Sequence, residues 1–218
     1  MKLPFVKHSV SASSKPGLQR RRCLVAGALV LMSSLAVSAC SPPAPTFHST
    51  DITGAEFAKQ LNLTDHNGIV RSLADFRGKV TVVFFGFTQC PDVCPTSMST
   101  LTEVKRLMGA QGDRLQVLFI TIDPERDTQA LLKAYMASFD PAFLALRPEP
   151  SELQAVAESF KAYYKKVDGA TPTSYSMDHS AGKYIFDTEG RVRLFSSYGT
   201  EAQVIAQDLL TLLKASSG

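Results

Sequence analysis

Two cysteines four positions apart and one distant histidine are the residues of this sequence with chemistry to offer. Cys90-Pro91-Asp92-Val93-Cys94-Pro95 follows an apolar run ending at Phe87, and His179 stands in Met177-Asp178-His179-Ser180. If a helix has begun by Cys90 or Pro91, positions 90 and 94 share one face, with Cβ atoms about 5–6 Å apart. That spacing lets two thiolates converge on one ion. A small adjustment would instead close a disulfide, whose Cβ atoms sit about 3.8 Å apart. Proline costs little in a first helical turn, where the N–H groups lack partners anyway. Those N–H groups and the helix dipole favour a thiolate, so at least one thiol is expected to have a lowered pKa. The plainer alternative is a structural disulfide, but so short a loop constrains the unfolded chain little.

The sequence has four cysteines, of which Cys23 lies in a leader and Cys40 directly follows it. Arg20-Arg21-Arg22 precedes an uncharged run of 17 residues, Cys23 to Ala39, that ends in small residues. This pattern marks residues 1–39 as an export signal. The run is at the short edge of the roughly 20 residues a spanning helix needs, which keeps an uncleaved membrane anchor as the alternative. Val37-Ser38-Ala39-Cys40 resembles a bacterial lipobox, implying cleavage before Cys40 and a lipid on its thiol. Ser41-Pro42-Pro43-Ala44-Pro45 opens a Pro-rich tether over residues 40–56, leaving 57–218 as the folded domain. Only Cys90 and Cys94 then remain as thiols. Outside the cytoplasm such a pair forms a disulfide, binds a metal, or does both in turn.

Charge excludes one class of function. All six basic residues of the leader are unopposed by any acid, so the remainder carries 17 Lys and Arg against 20 Asp and Glu. No basic footprint for nucleic acid is left.

The elements that must hold the thiols can be read from periodicity. Leu61–Thr64 and Ile69–Leu73 flank Asp65-His66-Asn67-Gly68, which signals a hairpin because Asn67 and Gly68 both tolerate positive φ. Lys79–Phe87 and Leu115–Ile122 are apolar without alternation, as in strands covered on both faces. Helices are predicted around Leu101–Met108, over 127–139, over 151–162 with Ser151 as N-cap, and from Glu201 to Leu213. Residues 163–181 show no long helical pattern and are either functional, disordered or a short hairpin. Lys183–Asp187 and Val192–Phe195 form a second hairpin. Strands alternating with helices and closed by an antiparallel pair predict an α/β domain with a mixed sheet flanked by helices, for which a thioredoxin-like fold with an added N-terminal β-hairpin is the natural candidate.

In that topology the loop before Lys183 packs beside the dithiol, bringing His179 to it. Two sulfurs and one imidazole make a soft set suited to Cu(I) as a trigonal site, and to Cu(II) if a fourth ligand or water joins, with Zn(II) a lesser possibility. Asp178 either orients the imidazole or is a plain turn residue. His48 in the tether and His66 in a turn are expected to face solvent, and Asp92 is a harder ligand than such a site favours.

Four blocks of sequence resemble the Sco/SenC family: Leu73–Lys79, Phe84–Thr96, Thr121–Thr128 and Asp178–Ser180, within roughly residues 57–214. The resemblance implies a thioredoxin-like fold with an inserted hairpin and copper bound by Cys90, Cys94 and His179. It implies a membrane-tethered copper metallochaperone for the copper-bearing subunit of cytochrome c oxidase. Asp123 matches a motif residue near the site, without an assigned chemistry. Copper and reducing equivalents would come from a copper donor and a thiol reductant outside the cytoplasm, and the domain would face the periplasm or another extracytoplasmic side. The alternative function is a thiol–disulfide oxidoreductase, with Cys90 and Cys94 as its redox-active pair, acting on exported cysteine-containing partners.

Overall fold

The structure, a computed structural model, describes residues 45–171 and 174–215. The expected signal peptide, Cys23 and Cys40 lie outside the described residues. Among the described residues no helix is long and apolar enough to cross a membrane.

Ten strands and four α-helices follow one another as β1 (Thr50–Asp51), β2 (Asn62–Asp65), β3 (Val70–Ser72), β4 (Val80–Gly86), α1 (Val93–Leu107), β5 (Leu115–Thr121), α2 (Gln129–Ala137), β6 (Leu144–Arg147), α3 (Leu153–Phe160), β7 (Tyr164–Thr171), β8 (Ser174–His179), β9 (Lys183–Phe186), β10 (Val192–Ser196) and α4 (Ala202–Ala215). Eight strands form one mixed sheet in the order β1-β10-β9-β4-β5-β6-β2-β3, with β5 parallel to both β4 and β6 and every other pairing antiparallel. Strands β7 and β8 pair separately with each other. This is the thioredoxin-like mixed sheet flanked by helices that the sequence predicts.

Every residue of β4 and β5 is buried, as their lack of polar alternation requires. Alternation still sorts their side chains. Phe84 meets Phe119 on one face, next to Tyr135 of α2. Phe85 points the other way, into a cluster with Phe160 of α3 and Tyr184 of β9.

Several boundaries differ from the sequence reading. Residues expected in the tether join the fold: β1 pairs with β10, and the His48 and Ser49 amides donate to Asp208 of α4 at 2.9 and 2.8 Å. Strand β6 is not marked in the sequence: it is as short as β2 and β9 but lacks the neighbouring glycine turn that marks those two. Residues 163–181 contain the β7–β8 pair. Helix α3 starts at Leu153 after Glu152, so Ser151 is not its cap.

In the N-terminal hairpin Gly68 alone is left-handed (φ +84°), and Asn67 is not. The turn is fastened instead by the Asp65 carboxylate, which accepts from the Asn67 and Ile69 amides. His66 is buried rather than solvent-facing: its Nδ1 accepts from the Ala145 amide at 3.1 Å, and burial lowers its pKa.

Candidate metal centre

The parallel strands β4 and β5 end side by side, and the loops leaving them build the site. After Gly86 the chain runs through Phe87–Asp92 and enters α1 at Val93. Cys90 therefore precedes the helix and Cys94 lies in its first turn, so the shared helical face expected from the spacing is not what joins them. The link is a hydrogen bond: the Cys94 amide, one of the free N–H groups of the first turn, donates to Cys90 Sγ at 3.3 Å. Pro95 follows within that turn, where a missing N–H costs little. Cys90 is half-buried, Cys94 is fully buried, and both thiols are free.

Gly86 makes the depth of Cys94 attainable. A Cβ at this position would come within 2.9 Å of Cys94 Sγ and 2.7 Å of the Phe119 ring. The sulfur occupies the space that any other residue would fill.

His179 arrives from the end of β8. Its Nδ1 lies 2.9 Å from the Ser180 carbonyl. A carbonyl only accepts, so Nδ1 carries the proton and Nε2 presents a bare lone pair. That Nε2 lies 3.5 Å from Cys94 Sγ. The imidazole is wedged edge-on between Phe84 and Phe87, with centroids 5.9 and 6.0 Å away. Burial lowers its pKa, which keeps the ring neutral. The ligand atoms of Cys90, Cys94 and His179 all lie within 4.8 Å of one another, the one such cluster of His, Cys, Asp and Glu donors among the described residues. Metal bonds of about 2.3 Å to sulfur and about 2.0 Å to nitrogen separate S and N ligands by about 3.5–3.8 Å, so the Cys94–His179 spacing fits one shared ion.

The expectation of a lowered thiol pKa does not hold at Cys94. Burial pushes its thiol up, and the hydrogen bonding with Cys90 adds to this. The helix N-terminus is outweighed because Gly86, Phe84 and Phe119 leave the sulfur without water.

Other side chains brace the three donors. Asp127, fully buried, accepts from the Thr88 amide at 3.1 Å and from the Thr88 and Thr121 hydroxyls at 2.5 Å each. It thereby ties the loop that carries Cys90 to the end of β5. Asp123 pairs with Arg126 and accepts from the Tyr175 hydroxyl at 2.8 Å. The Arg126 guanidinium stacks on Tyr175 at 3.5 Å and reaches Phe87 at 5.9 Å. Asp123 thus joins the β5–α2 loop to the strand that ends in His179. Its position near the site was legible in the sequence, whereas Arg126, Asp127 and Tyr175 were not singled out. The first two lie in the Thr121–Thr128 block, where that signal was available.

Asp178 is exposed and does not hold the imidazole, since the Ser180 carbonyl takes that role. Asp92 is the N-cap residue of α1 and accepts from the Thr96 hydroxyl, outside the cluster.

Residues 49–214 match the family model SCO1/SenC. An SCO2-like protein of Rickettsia felis is 33% identical over 168 residues, covering 76% of this chain and 80% of that protein. Among solved structures, Bradyrhizobium japonicum ScoI with copper bound is 41% identical with a TM-score of 0.64, covering 69% of this chain and 96% of that one. Yeast Sco1 with copper bound is 29% identical with a TM-score of 0.64, covering 72% and 87%. The Bradyrhizobium chain is matched over nearly its whole length, so the counterpart of this folded part suffices to form the fold without a leader. Among the described residues the buried hydrophobic cluster runs from Ala58 to Leu213, with Phe47, Ile52, Ala55 and Phe57 packed against it.

Proposed function

The chain belongs to the SCO1/SenC family, and we propose that it is a membrane-tethered copper metallochaperone that helps assemble the copper centre of cytochrome c oxidase. The observation that carries this reading is the convergence of two free sulfurs and a bare imidazole nitrogen within 4.8 Å. Thiolates and imidazole select Cu(I) over harder ions. The ion is cargo: it displaces a proton from each thiol on entry and leaves when a partner's ligands replace them one by one. Cys90, half-buried, is where that exchange begins, while Cys94 and His179 hold the ion from behind. A lipid on Cys40 tethers the domain on the extracytoplasmic side. A separate copper donor loads it, a thiol reductant keeps the pair reduced, and the copper-bearing oxidase subunit receives the ion.

The test is a Cu(I) titration of reduced residues 45–218 against a competing chelator. One ion per chain is expected. If His179→Ala binds Cu(I) as tightly as the parent, the dithiol alone holds the ion and the three-ligand reading is wrong. For the tether, Cys40→Ser is expected to abolish labelled fatty-acid incorporation into the full chain. Unchanged membrane retention without lipid would favour residues 23–39 as an uncleaved anchor.

A second reading rests on the asymmetry of the pair. A half-buried thiol with a fully buried one behind it is also the arrangement of an attacking and a resolving cysteine. In that reading Cys90 attacks a partner's disulfide, Cys94 closes the intramolecular disulfide, and the partner leaves with two electrons and two protons. Reduction of a disulfide substrate by the copper-free protein, together with loss of copper affinity in neither His179→Ala nor Cys90→Ser, would favour it.

A further inference from the structure

Lys183 is the one lysine or arginine among the described residues that is fully buried, at 1% exposure, and the metal centre does not use it. It opens β9 with its Nζ 5.9 Å from the centre of the Phe84 ring, on which the imidazole of His179 also abuts. Its Nζ makes no ion pair and no hydrogen bond with any described residue. The side chain lines a pocket of about 380 Å³ between the first turns of α1 and the start of α4, at the lower end of the range for small-ligand sites.

Further unpaired donors lie beside it. Ser97 of α1 lines the same pocket, and its buried hydroxyl has no hydrogen-bond partner. Ser196 stands opposite Lys183 in the β9–β10 register, and its buried hydroxyl is unpartnered too. Buried polar atoms without partners are rare and mark places where water, an ion or a ligand belongs.

The three threonine hydroxyls of the pocket wall are engaged, whereas the exposed Tyr198 on the same wall makes no side-chain hydrogen bond with any described residue. Thr96 donates to Asp92, Thr100 to the Thr96 carbonyl and Thr200 to the Ser197 carbonyl. The wall also includes Ala202, the first residue of α4, where helix N–H groups lack intrahelical acceptors and favour an anion. The free groups of the pocket are therefore an ammonium, which can only donate, and hydroxyls, which are able to donate to an anion. Two carboxylates stand on the wall as well. Glu103 is neutralised by Arg106 through both oxygens, and Glu201 is exposed. Their charge disfavours a dianion.

We propose that this pocket is a binding site for one small monocarboxylate, with Lys183 as its counter-ion and Ser97 as its second donor. Burial alone depresses the Lys183 ammonium, and a bound carboxylate offsets the cost of keeping it charged. The site is separated from the metal centre by the Phe84 ring and is independent of the copper reading.

The experiment is a titration of residues 45–218 with sodium acetate, followed by amide NMR shifts at Ser97, Thr200 and Ala202, with sodium chloride at equal ionic strength as the control. Saturable shifts are expected with acetate and not with chloride. Lys183→Met keeps the length of the side chain and removes its charge. It is expected to weaken acetate by at least about tenfold, the worth of one charge-assisted hydrogen bond. Ser97→Ala should weaken acetate by a smaller factor, and it carries the test alone should Lys183→Met not fold. Shifts that do not saturate, that chloride reproduces, or that survive Lys183→Met and Ser97→Ala unchanged would mean that the pocket holds water only, and would overturn the proposal.

Discussion

The two hairpin turns at Asp65 and Asp187 and the metal centre are built from opposite uses of buried polar atoms. In both turns an aspartate carboxylate sits beneath an Asp-x-x-Gly segment. Asp65 accepts from the amides of Asn67 and Ile69 and pairs with Arg71. Asp187 accepts from the amides of Glu189 and Arg191 and pairs with Arg191 and Arg193. The glycine closes each turn at φ +84° or +80°. These carboxylates are saturated with donors, and their pKa values are lowered. Around Cys94 and His179 the walls are Phe84, Phe87 and Phe119, and the Cys94 thiol meets the bare imidazole Nε2 at 3.5 Å. A turn is stabilised by filling a carboxylate's lone pairs with fixed N–H donors, while a metal site must keep on each ligand a lone pair that an ion can take, in place of a thiol proton where there is one.

The largest expected effect follows from the metal side. Cys90→Ser, Cys94→Ser and His179→Ala should each lower Cu(I) affinity by at least about 100-fold, the upper end of what losing even a supporting group costs. Without copper, Cys90→Ser should keep an unfolding midpoint in urea near the parent's, because Cys90 is half-buried, while Cys94→Ser and His179→Ala also disturb apolar packing and should fall below it. A Cys90→Ser chain that loses stability as well would mean that this donor helps hold the fold, and the contrast with the turns would break.

Asp187→Ala tests the opposite side. It leaves two amides and two guanidinium groups without their acceptor, at a cost of about 2–3 kcal/mol, with Cu(I) affinity unchanged. The pH dependence sharpens the point. The depressed carboxyls of Asp65, Asp187 and Asp208 contribute stability that is fully present above the ordinary carboxylate pKa of about 3.9. That stability is lost as pH falls through their folded values. Urea unfolding should therefore be flat from neutrality to about pH 5 and weaken below about pH 4, with a shallower acid limb in Asp187→Ala. An unchanged acid limb would show that Asp187 is not one of the groups that titrate there.

The turns and the site differ equally in how far the sequence discloses them. Both hairpins were legible because Gly68 and Gly190 punctuate extended runs. The Asn67-Gly68 signal does not disclose the role of Asp65, although an aspartate three residues before a glycine recurs at Asp187. The three donors were legible because few soft ligands remain once the leader is set aside. Their surroundings were not, since burial of Cys94 depends on Gly86 and Phe119, which are distant in sequence or bear no chemistry. Strand β6 and the cap of α3 are not marked for a local reason: the strand has no glycine turn beside it, and the cap is Glu152, which is not one of the usual capping residues.

Two glycines give the next contrast. Gly190→Ala forces a side chain into the left-handed region and should cost about 1 kcal/mol in the turn, leaving copper unaffected. Gly86→Ala has no such φ penalty, but its methyl would collide with Phe119 and Cys94. Overpacking of this kind typically costs about 1–3 kcal/mol, and here it should also displace Cys94 and weaken Cu(I) binding. Measuring both unfolding and copper affinity separates them. If Gly86→Ala loses stability but keeps full copper affinity, the close approach at Gly86 serves packing and not the metal.

The smallest effect is expected at Asp127, a buried carboxyl that stands near the metal centre yet resembles the turn aspartates in having several donors. Its environment differs in kind. No cation pairs with it, two of its three partners are hydroxyls, and burial outweighs them to raise its pKa. A raised carboxyl contributes stability below the ordinary carboxylate range and loses it as pH rises through its folded value, the reverse of Asp187. Hydroxyls can accept as well as donate, so Thr88 and Thr121 can turn to serve a neutral partner. Asp127→Asn, which matches the protonated acid in shape, should therefore cost less than about 1 kcal/mol and leave copper affinity in place. Asp127→Ala releases Thr88, two residues from Cys90, and should loosen the copper site while His179 keeps its bond to the Ser180 carbonyl. If Asp127→Asn destabilises as much as Asp187→Asn, Asp127 is an ionised anchor like the others. The line between the saturated turns and the open metal centre would then have to be drawn closer to Cys90.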